Sequence, residues 1–120
     1  MRPDGKDAAY LWDMVEAAKT ALDLTAGYDV QRYLANRTLQ LAIERLVEVI
    51  GEAANRVSAA FREAHPEVPW RRIISQRHVL AHEYGEIRQG QMWLLVSDHI
   101  PKLVTQLEPL LPPPPPEPEG

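Results

Sequence analysis

The segment from residue 77 to residue 84 concentrates side chains that can act on a phosphodiester. It reads Arg-His-Val-Leu-Ala-His-Glu-Tyr, so it contains a permanent cation, two imidazoles and a phenol. RNA can be cut without a metal ion if a base removes the proton of a 2′-hydroxyl while cations stabilise the charge on the phosphate. Histidine suits proton transfer because its unperturbed pKa, about 6.5, lies near neutral pH. Arginine suits the phosphate because its planar donors match two oxygens at once.

The same segment admits a different chemistry, because His78 and His82 are four residues apart and would share one face of a helix. Such a pair can bind a transition metal. Glu83 or His99 would have to complete the ligand set, and the sequence has no second motif at ligand spacing. We therefore expect neither a metal nor a cofactor.

Helical geometry constrains how the arginine and the second histidine can work together. Five residues along an ideal α-helix leave Arg77 and His82 about 140° apart around the axis, so they would not share a face. Either the helix ends before His82, as Gly85 suggests, or each site borrows residues from a second chain, and both can hold. A symmetric dimer would bring two copies of the pair together in one cleft across a twofold axis.

The distribution of charge favours a small phosphate-binding site. The formal net charge is −4, which argues against a protein that coats nucleic acid non-specifically. Residues 70–82 nevertheless contain Arg71, Arg72 and Arg77 and no acidic residue. We predict that Arg71 and Arg72 extend the contacts to RNA phosphates, although a solvated helix face explains them about equally well.

Nearly all the periodic patterns in the chain are helical. Asp4 or Asp7 can cap a first helix that ends at Ala26-Gly27, where glycine can adopt a left-handed conformation. A second helical stretch is predicted to begin near Asp29, with an interruption around Asn36.

One long helix is predicted from residue 39 to the stop at His65-Pro66. Its apolar stripe alternates steps of four and three residues: Leu39, Ile43, Leu46, Ile50, Ala53, Val57 and Ala60. Glu44, Glu48, Glu52 and Arg56 would face solvent or a partner. Gly51 inside this helix suggests close packing of another backbone.

Proline and glycine divide the rest of the chain. Pro69 suits the first position of a helix that would run from Trp70 towards Leu80 or His82. Gly85 and Gly90 bracket a short loop. A last helix is predicted from about Gln91, with a kink or join at Pro101. Five prolines follow Leu111, so we expect one helical domain over residues 1–110 and a disordered polyproline tail over residues 111–120.

Composition indicates the cellular setting. The chain contains no cysteine, which excludes disulfides and thiolate metal sites. Its first residues are charged where an export signal would be apolar, and no stretch is apolar enough to span a bilayer. These features predict a cytoplasmic protein without membrane association.

Several short motifs resemble the HepT-like branch of the HEPN superfamily in their order and spacing. They are, in chain order, Gly51-Glu52-Ala53-Ala54, Pro66, Val68-Pro69-Trp70, Arg77, His82-Glu83-Tyr84 and Ile87. The resemblance extends from about residue 10 to residue 107. It implies an all-α, up-and-down helical bundle of four to five helices that dimerises.

The resemblance also implies a function: a metal-independent endoribonuclease that is the toxin of a two-gene toxin–antitoxin module of the HepT/MntA type. Arg77 would bind phosphate and His82 would be catalytic, in a cleft at the dimer interface. Tyr84 would contact the site and accept AMP from a partner that resembles a minimal nucleotidyltransferase. The family commonly has asparagine after the arginine, where this chain has His78, whose imidazole could act as the hydrogen-bonding group.

A second function of a different class fits the same residues. In it the protein is a catalytically inactive HEPN module that binds a nucleotide, or its nucleotidyltransferase partner, through the same cleft. Loss of RNA cleavage in a His82→Ala variant would distinguish the nuclease from this interaction module.

Overall fold

The computed structural model describes the backbone of residues 2–82 and 89–113, and the side chains of residues 2–76 and 89–113. These residues form helices and no strands, which confirms the predicted all-α class. The α-helices are α1 (Gly5–Thr25), α2 (Val30–Leu34), α3 (Arg37–Arg56), α4 (Ala59–Ala64), α5 (Trp70–His82), α6 (Gln89–Leu94) and α7 (Ile100–Leu107).

The first two helical stretches begin and end where the sequence predicts. The carboxylate of Asp4 accepts a hydrogen bond from the backbone N–H of Asp7 at 2.7 Å and caps α1. Gly27 has φ +79°, the left-handed conformation that ends a helix at little cost only for glycine. Asp29 caps α2 and Asn36 caps α3 through their side-chain oxygens.

The predicted long helix is divided, which corrects its expected course from residue 39 to His65. α3 ends at Arg56, and Ser58 caps the separate helix α4 by accepting from the N–H of Phe61. Asp7, which is buried, accepts from the Ser58 N–H at 2.8 Å and from its hydroxyl at 2.6 Å. These two bonds give the backbone N–H and the hydroxyl of Ser58 an acceptor at the break between α3 and α4. The stop before Pro66 is confirmed, because α4 ends at Ala64.

The C-terminal helical segment begins two residues earlier than predicted. α6 starts at Gln89, so Gly90 lies inside a helix and does not close a loop. A π-helical turn, Leu95–His99, joins α6 to α7. Pro101 lies in the first turn of α7. Because proline has no N–H to bond to the preceding turn, the backbone widens there, as expected for a join.

The helices pack around one apolar core. α1 and α3 run in opposite directions, since Asp7 at the start of α1 meets Ser58 just beyond the end of α3. α5 packs on α3, and α7 packs on α1. The largest fully buried side chains are Tyr33, Phe61, Leu11, Met14, Ile43, Leu107, Val15, Val57, Val68 and Val96.

The chain beyond α7 is described only in part. A 3-10 turn, Glu108–Leu110, follows α7, and residues 111–113 are not helical. The predicted loop at Gly85 and most of the polyproline tail, residues 114–120, lie outside the described residues. Among the residues that the structure does describe, no helix is both long and apolar enough to cross a membrane.

Candidate active site

Helix α5 carries most of the predicted site, and its first turn is anchored in the core. Trp70 is buried, and its indole N–H donates to the backbone carbonyl of His65 at 2.9 Å. The rings of Trp70 and Phe61 meet edge to face, with centroids 6.4 Å apart. Pro69 lies one residue before α5, and its carbonyl accepts from the N–H of Ile73 at 3.1 Å. The predicted helix start at Trp70 is confirmed, with Pro69 in the capping position just before it.

The short connection from α4 to α5 is held by polar contacts as well. Nδ1 of His65 lies 2.8 Å from a carboxylate oxygen of Glu67. A hydrogen bond from its own backbone N–H, and then the contact with His65, lower the pKa of Glu67. Val68 is buried in the same connection. The entry into α5 is thus fixed by packing and hydrogen bonds together.

The backbone of Arg77, His78 and His82 belongs to α5. Their side chains lie outside the described residues, and so does Tyr84 entirely. The predicted roles of these four residues therefore stay predictions.

Helix α5 includes His82 as its last residue, which tests the first of the two geometric alternatives. The helix does not end before His82, so that alternative is wrong. Five helical residues separate Arg77 from His82, corresponding to about 140° around the axis and about 7.5 Å along it. The contribution of a second chain stays a prediction.

One face of α5 is exposed over its described part. Arg71 and Ser75, four residues apart, are both exposed. The same helical steps of three and four residues bring the backbone positions of His78 and His82 into line with them. The row from Arg71 to His82 is about 16 Å long. Arg71, His78 and His82 thus follow one line along the helix, whereas Arg77 starts from another side of it.

An open groove runs beside this row, between α5, α4 and the end of α3. Three arginines line it, Arg62, Arg71 and Arg72, and we call it the basic groove. Arg62 is a residue that the sequence did not single out. Ser58, a good helix cap, was the signal that a separate helix starts there and brings Arg62 towards α5.

A second, more apolar cleft lies on another side of α5. It is lined mainly by aliphatic residues of α3, α5 and α7. Arg72, Gln76 and His99 provide its polar groups. The ring of His99 lies 4.0 Å from a carboxylate oxygen of Asp98. The predicted metal alternative needs His78 and His82, whose side chains lie outside the described residues.

The start of α6 contacts Tyr33 of α2. The hydroxyl of Tyr33 donates to the side-chain oxygen of Gln89, the first residue of α6, at 2.9 Å. The Tyr33 ring also packs on Trp93, with centroids 5.4 Å apart. Burial, followed by the nearby charge of Glu44, raises the pKa of Tyr33 to about 12. The start of α6 is therefore held against α2 by a hydrogen bond and by ring packing.

Comparison with known proteins places this architecture in a family. Residues 14–110 match the family described as "Ribonuclease HepT-like". "Probable ribonuclease HepT" of Thermococcus cleftensis is 33% identical over 110 residues, covering 92% of this chain and 98% of that protein. "Putative RNase MJ1380" of Methanocaldococcus jannaschii is 32% identical over 100 residues, covering 83% of this chain and 92% of that protein.

A third relative, "Putative RNase TTE0752" of Caldanaerobacter subterraneus, is 29% identical over 102 residues and covers 85% of this chain. No solved structure matches the chain. The family match contains helix α5 with Arg77 and His82, and it continues through Tyr84 to the end of the helical domain. The resemblance inferred from the sequence motifs is confirmed, and the chain belongs to the HepT-like ribonuclease family.

Proposed function

We propose that this protein is a metal-independent endoribonuclease that uses Arg77 and His82 in a cleft between two copies of the chain. The observation that carries the proposal is the family match over residues 14–110, which includes the Arg-x4-His-x-Tyr motif. Relatives that cover most of the chain carry ribonuclease names. The proposed substrate is RNA, with tRNA as one candidate.

The proposed reaction is a transesterification. An imidazole, that of His82, removes the proton from the 2′-hydroxyl, and the 2′-oxygen attacks the adjacent phosphorus. The bond from phosphorus to the 5′-oxygen breaks, and that oxygen leaves with a proton from a general acid or water. The products are a 2′,3′-cyclic phosphate and a 5′-hydroxyl. Arg77 would stabilise the charge on the phosphoryl oxygens, and His78 would contact the substrate.

The course of α5 supports a dimeric site. Because α5 is helical through His82, Arg77 and His82 start from different sides of one helix. A second chain related by a twofold axis can supply the missing member of each pair. We therefore propose a homodimer with both motifs lining one interfacial cleft.

We also propose that the protein is the toxin of a HepT/MntA-type module. Its antitoxin would be a minimal nucleotidyltransferase that transfers AMP from ATP to the phenol of Tyr84 and releases pyrophosphate. The family resemblance supports this assignment. Co-expression with the neighbouring open reading frame, followed by intact mass measurement, should show one added AMP in the native chain and none in Tyr84→Phe.

The nuclease proposal is tested by incubating the purified protein with RNA in EDTA. We expect wild type to cleave RNA and to leave 2′,3′-cyclic phosphate ends. His82→Ala and Arg77→Ala should each lose at least about a hundredfold in rate, because each removes a group that acts in the transition state. His99→Ala, a histidine outside the motif, serves as the control and should retain activity.

The outcomes separate the proposal from its rivals. Activity that disappears in EDTA and returns with a divalent metal would contradict the metal-independent reaction. If neither wild type nor the variants cleave RNA, while binding to the nucleotidyltransferase persists, the protein is the inactive interaction module. Circular dichroism spectra that match wild type would show that the variants are folded.

A further inference from the structure

We infer that the basic groove binds the sugar–phosphate backbone of a single-stranded RNA segment and delivers it to the motif end of α5. This inference rests on the proposed function in taking RNA as the ligand, and it assigns to Arg62 a role in RNA binding. The groove is formed by the end of α3, helix α4 and the exposed side of α5.

The charges of the groove favour a polyanion. Arg62, Arg71 and Arg72 line it, and Glu63 is the one acidic residue among its described lining residues. No described carboxylate forms an ion pair with any of the three arginines. Elsewhere in the described structure Arg37, Arg45 and Arg56 are each paired with a glutamate. The groove therefore presents guanidinium groups whose donors are available to phosphate oxygens.

Arg62 is the most informative of the three. Its Nε is buried and has no hydrogen-bond partner among the described residues. A buried donor without a partner costs free energy, and this cost is recovered if the half-buried side chain shifts towards a phosphate oxygen that accepts from Nε. Arg71 and Arg72, by contrast, are exposed on the first turn of α5. Arg62 thus combines a half-buried side chain with an unsatisfied donor beside the groove.

The direction of the groove connects it to the proposed active site. Arg71 and Ser75 line the groove and begin the row on α5 that reaches the backbone position of His82. An RNA strand following this row would have its phosphates near Arg62 and Arg71 and its scissile bond near the motif. Because the whole chain carries a net charge of −4, a few local phosphate contacts fit better than a long duplex.

The test is an RNA-binding measurement that does not depend on cleavage. A fluorescein-labelled single-stranded RNA carrying 2′-O-methyl groups lacks the attacking hydroxyl, so binding to the full-length protein can be followed by fluorescence anisotropy at several KCl concentrations. We expect Arg62→Gln and Arg71→Gln each to raise Kd about fivefold and to lower the slope of log K against log salt by about 0.7.

Two control variants test whether the effect depends on the position and on the charge of the arginine. Arg45→Gln removes an exposed arginine of α3 that is absent from the described lining of the groove, and it should bind RNA like wild type. Arg62→Lys keeps the positive charge and should retain most of the affinity. Thermal unfolding of Arg62→Gln checks its fold, and Arg71→Gln, at an exposed position, tests the groove independently of that check.

The outcomes distinguish this inference from the proposed nuclease. If both glutamine variants bind as Arg45→Gln does, or if wild type does not bind the probe, the inference is wrong, whatever the cleavage assay shows. Tighter binding of a duplex of the same length would contradict the single-stranded ligand. If wild type binds the probe through the groove but cleaves no RNA, the inference stands and the proposed function fails. With unmodified RNA, the groove variants should raise KM while leaving kcat nearly unchanged.

Discussion

At the scale of single residues, the side chains predicted to act on RNA fall within residues 77–84. The types and spacing of Arg77, His78, His82 and Tyr84 are enough to predict phosphodiester chemistry. The fold adds Arg62, which the sequence does not reveal because its role depends on a neighbouring helix. Residue types therefore predict the kind of reaction. Tertiary packing is needed to find a further candidate for RNA binding such as Arg62.

Tyr33 provides a residue-scale prediction about pH. Its pKa is raised from 10.0 to about 12, first by burial and then by Glu44. In the unfolded chain the phenol loses its proton near pH 10, whereas in the folded chain it keeps it. The unfolded state then binds fewer protons, so the free energy of unfolding should fall by about 1 kcal/mol between pH 10 and about pH 11.

The free energy of unfolding is measured for wild type and for Tyr33→Phe. The difference between them isolates the contribution of Tyr33, because other groups also titrate in this pH range. Urea unfolding at pH 8 should show Tyr33→Phe to be less stable by about 1 kcal/mol, since the bond to Gln89 is lost. The advantage of wild type should shrink as the pH rises above 10. If the difference in free energy of unfolding between wild type and Tyr33→Phe stays constant up to pH 11, the phenol has the same pKa in the folded and the unfolded chain, which would contradict the prediction.

At the scale of elements, the sequence predicted those helix ends that depend only on residues close by in the chain. The caps at Asp4, Asp29 and Asn36 and the turn at Gly27 depend on neighbouring residues, and the sequence predicted each of them. The break at Ser58 was missed, because the apolar stripe continues through Val57 to Ala60. The bond that fixes the break comes from Asp7, which is 51 residues away.

The Asp7–Ser58 contact yields a prediction about stability. Asp7→Ala leaves the Ser58 N–H and hydroxyl without their acceptor in a part-buried position, so we expect a loss of about 2–3 kcal/mol in the free energy of unfolding. Asp13→Ala, at an exposed position of α1, should change it by less than about 0.5 kcal/mol. Urea denaturation of the two variants gives the comparison.

A double-mutant cycle assigns the effect to this pair of residues. Ser58→Ala removes the hydroxyl and its cap on α4, and the two substitutions together should cost clearly less than the sum of their separate effects. Strict additivity would show that Asp7 stabilises the chain through other groups.

At the scale of the whole molecule, the sequence predicted the class and the family, but it could not decide how the active site is completed. An acidic chain with a local cluster of arginines suits a protein that binds a few phosphates. The two geometric alternatives for the Arg77–His82 pair depended on where α5 ends. Helix α5, which packs on α3, includes His82 as its last residue.

The central claim is that Arg77 of one chain and His82 of another act on the same phosphodiester. It is tested most directly by mixing Arg77→Ala and His82→Ala chains under conditions that exchange subunits and measuring RNA cleavage in EDTA. Each variant alone should be inactive, while the mixture should recover about a quarter of wild-type activity, since half the dimers are mixed and each has one complete site. A mixture that contains mixed dimers, shown by native mass spectrometry, and remains as inactive as the separate variants would contradict the claim.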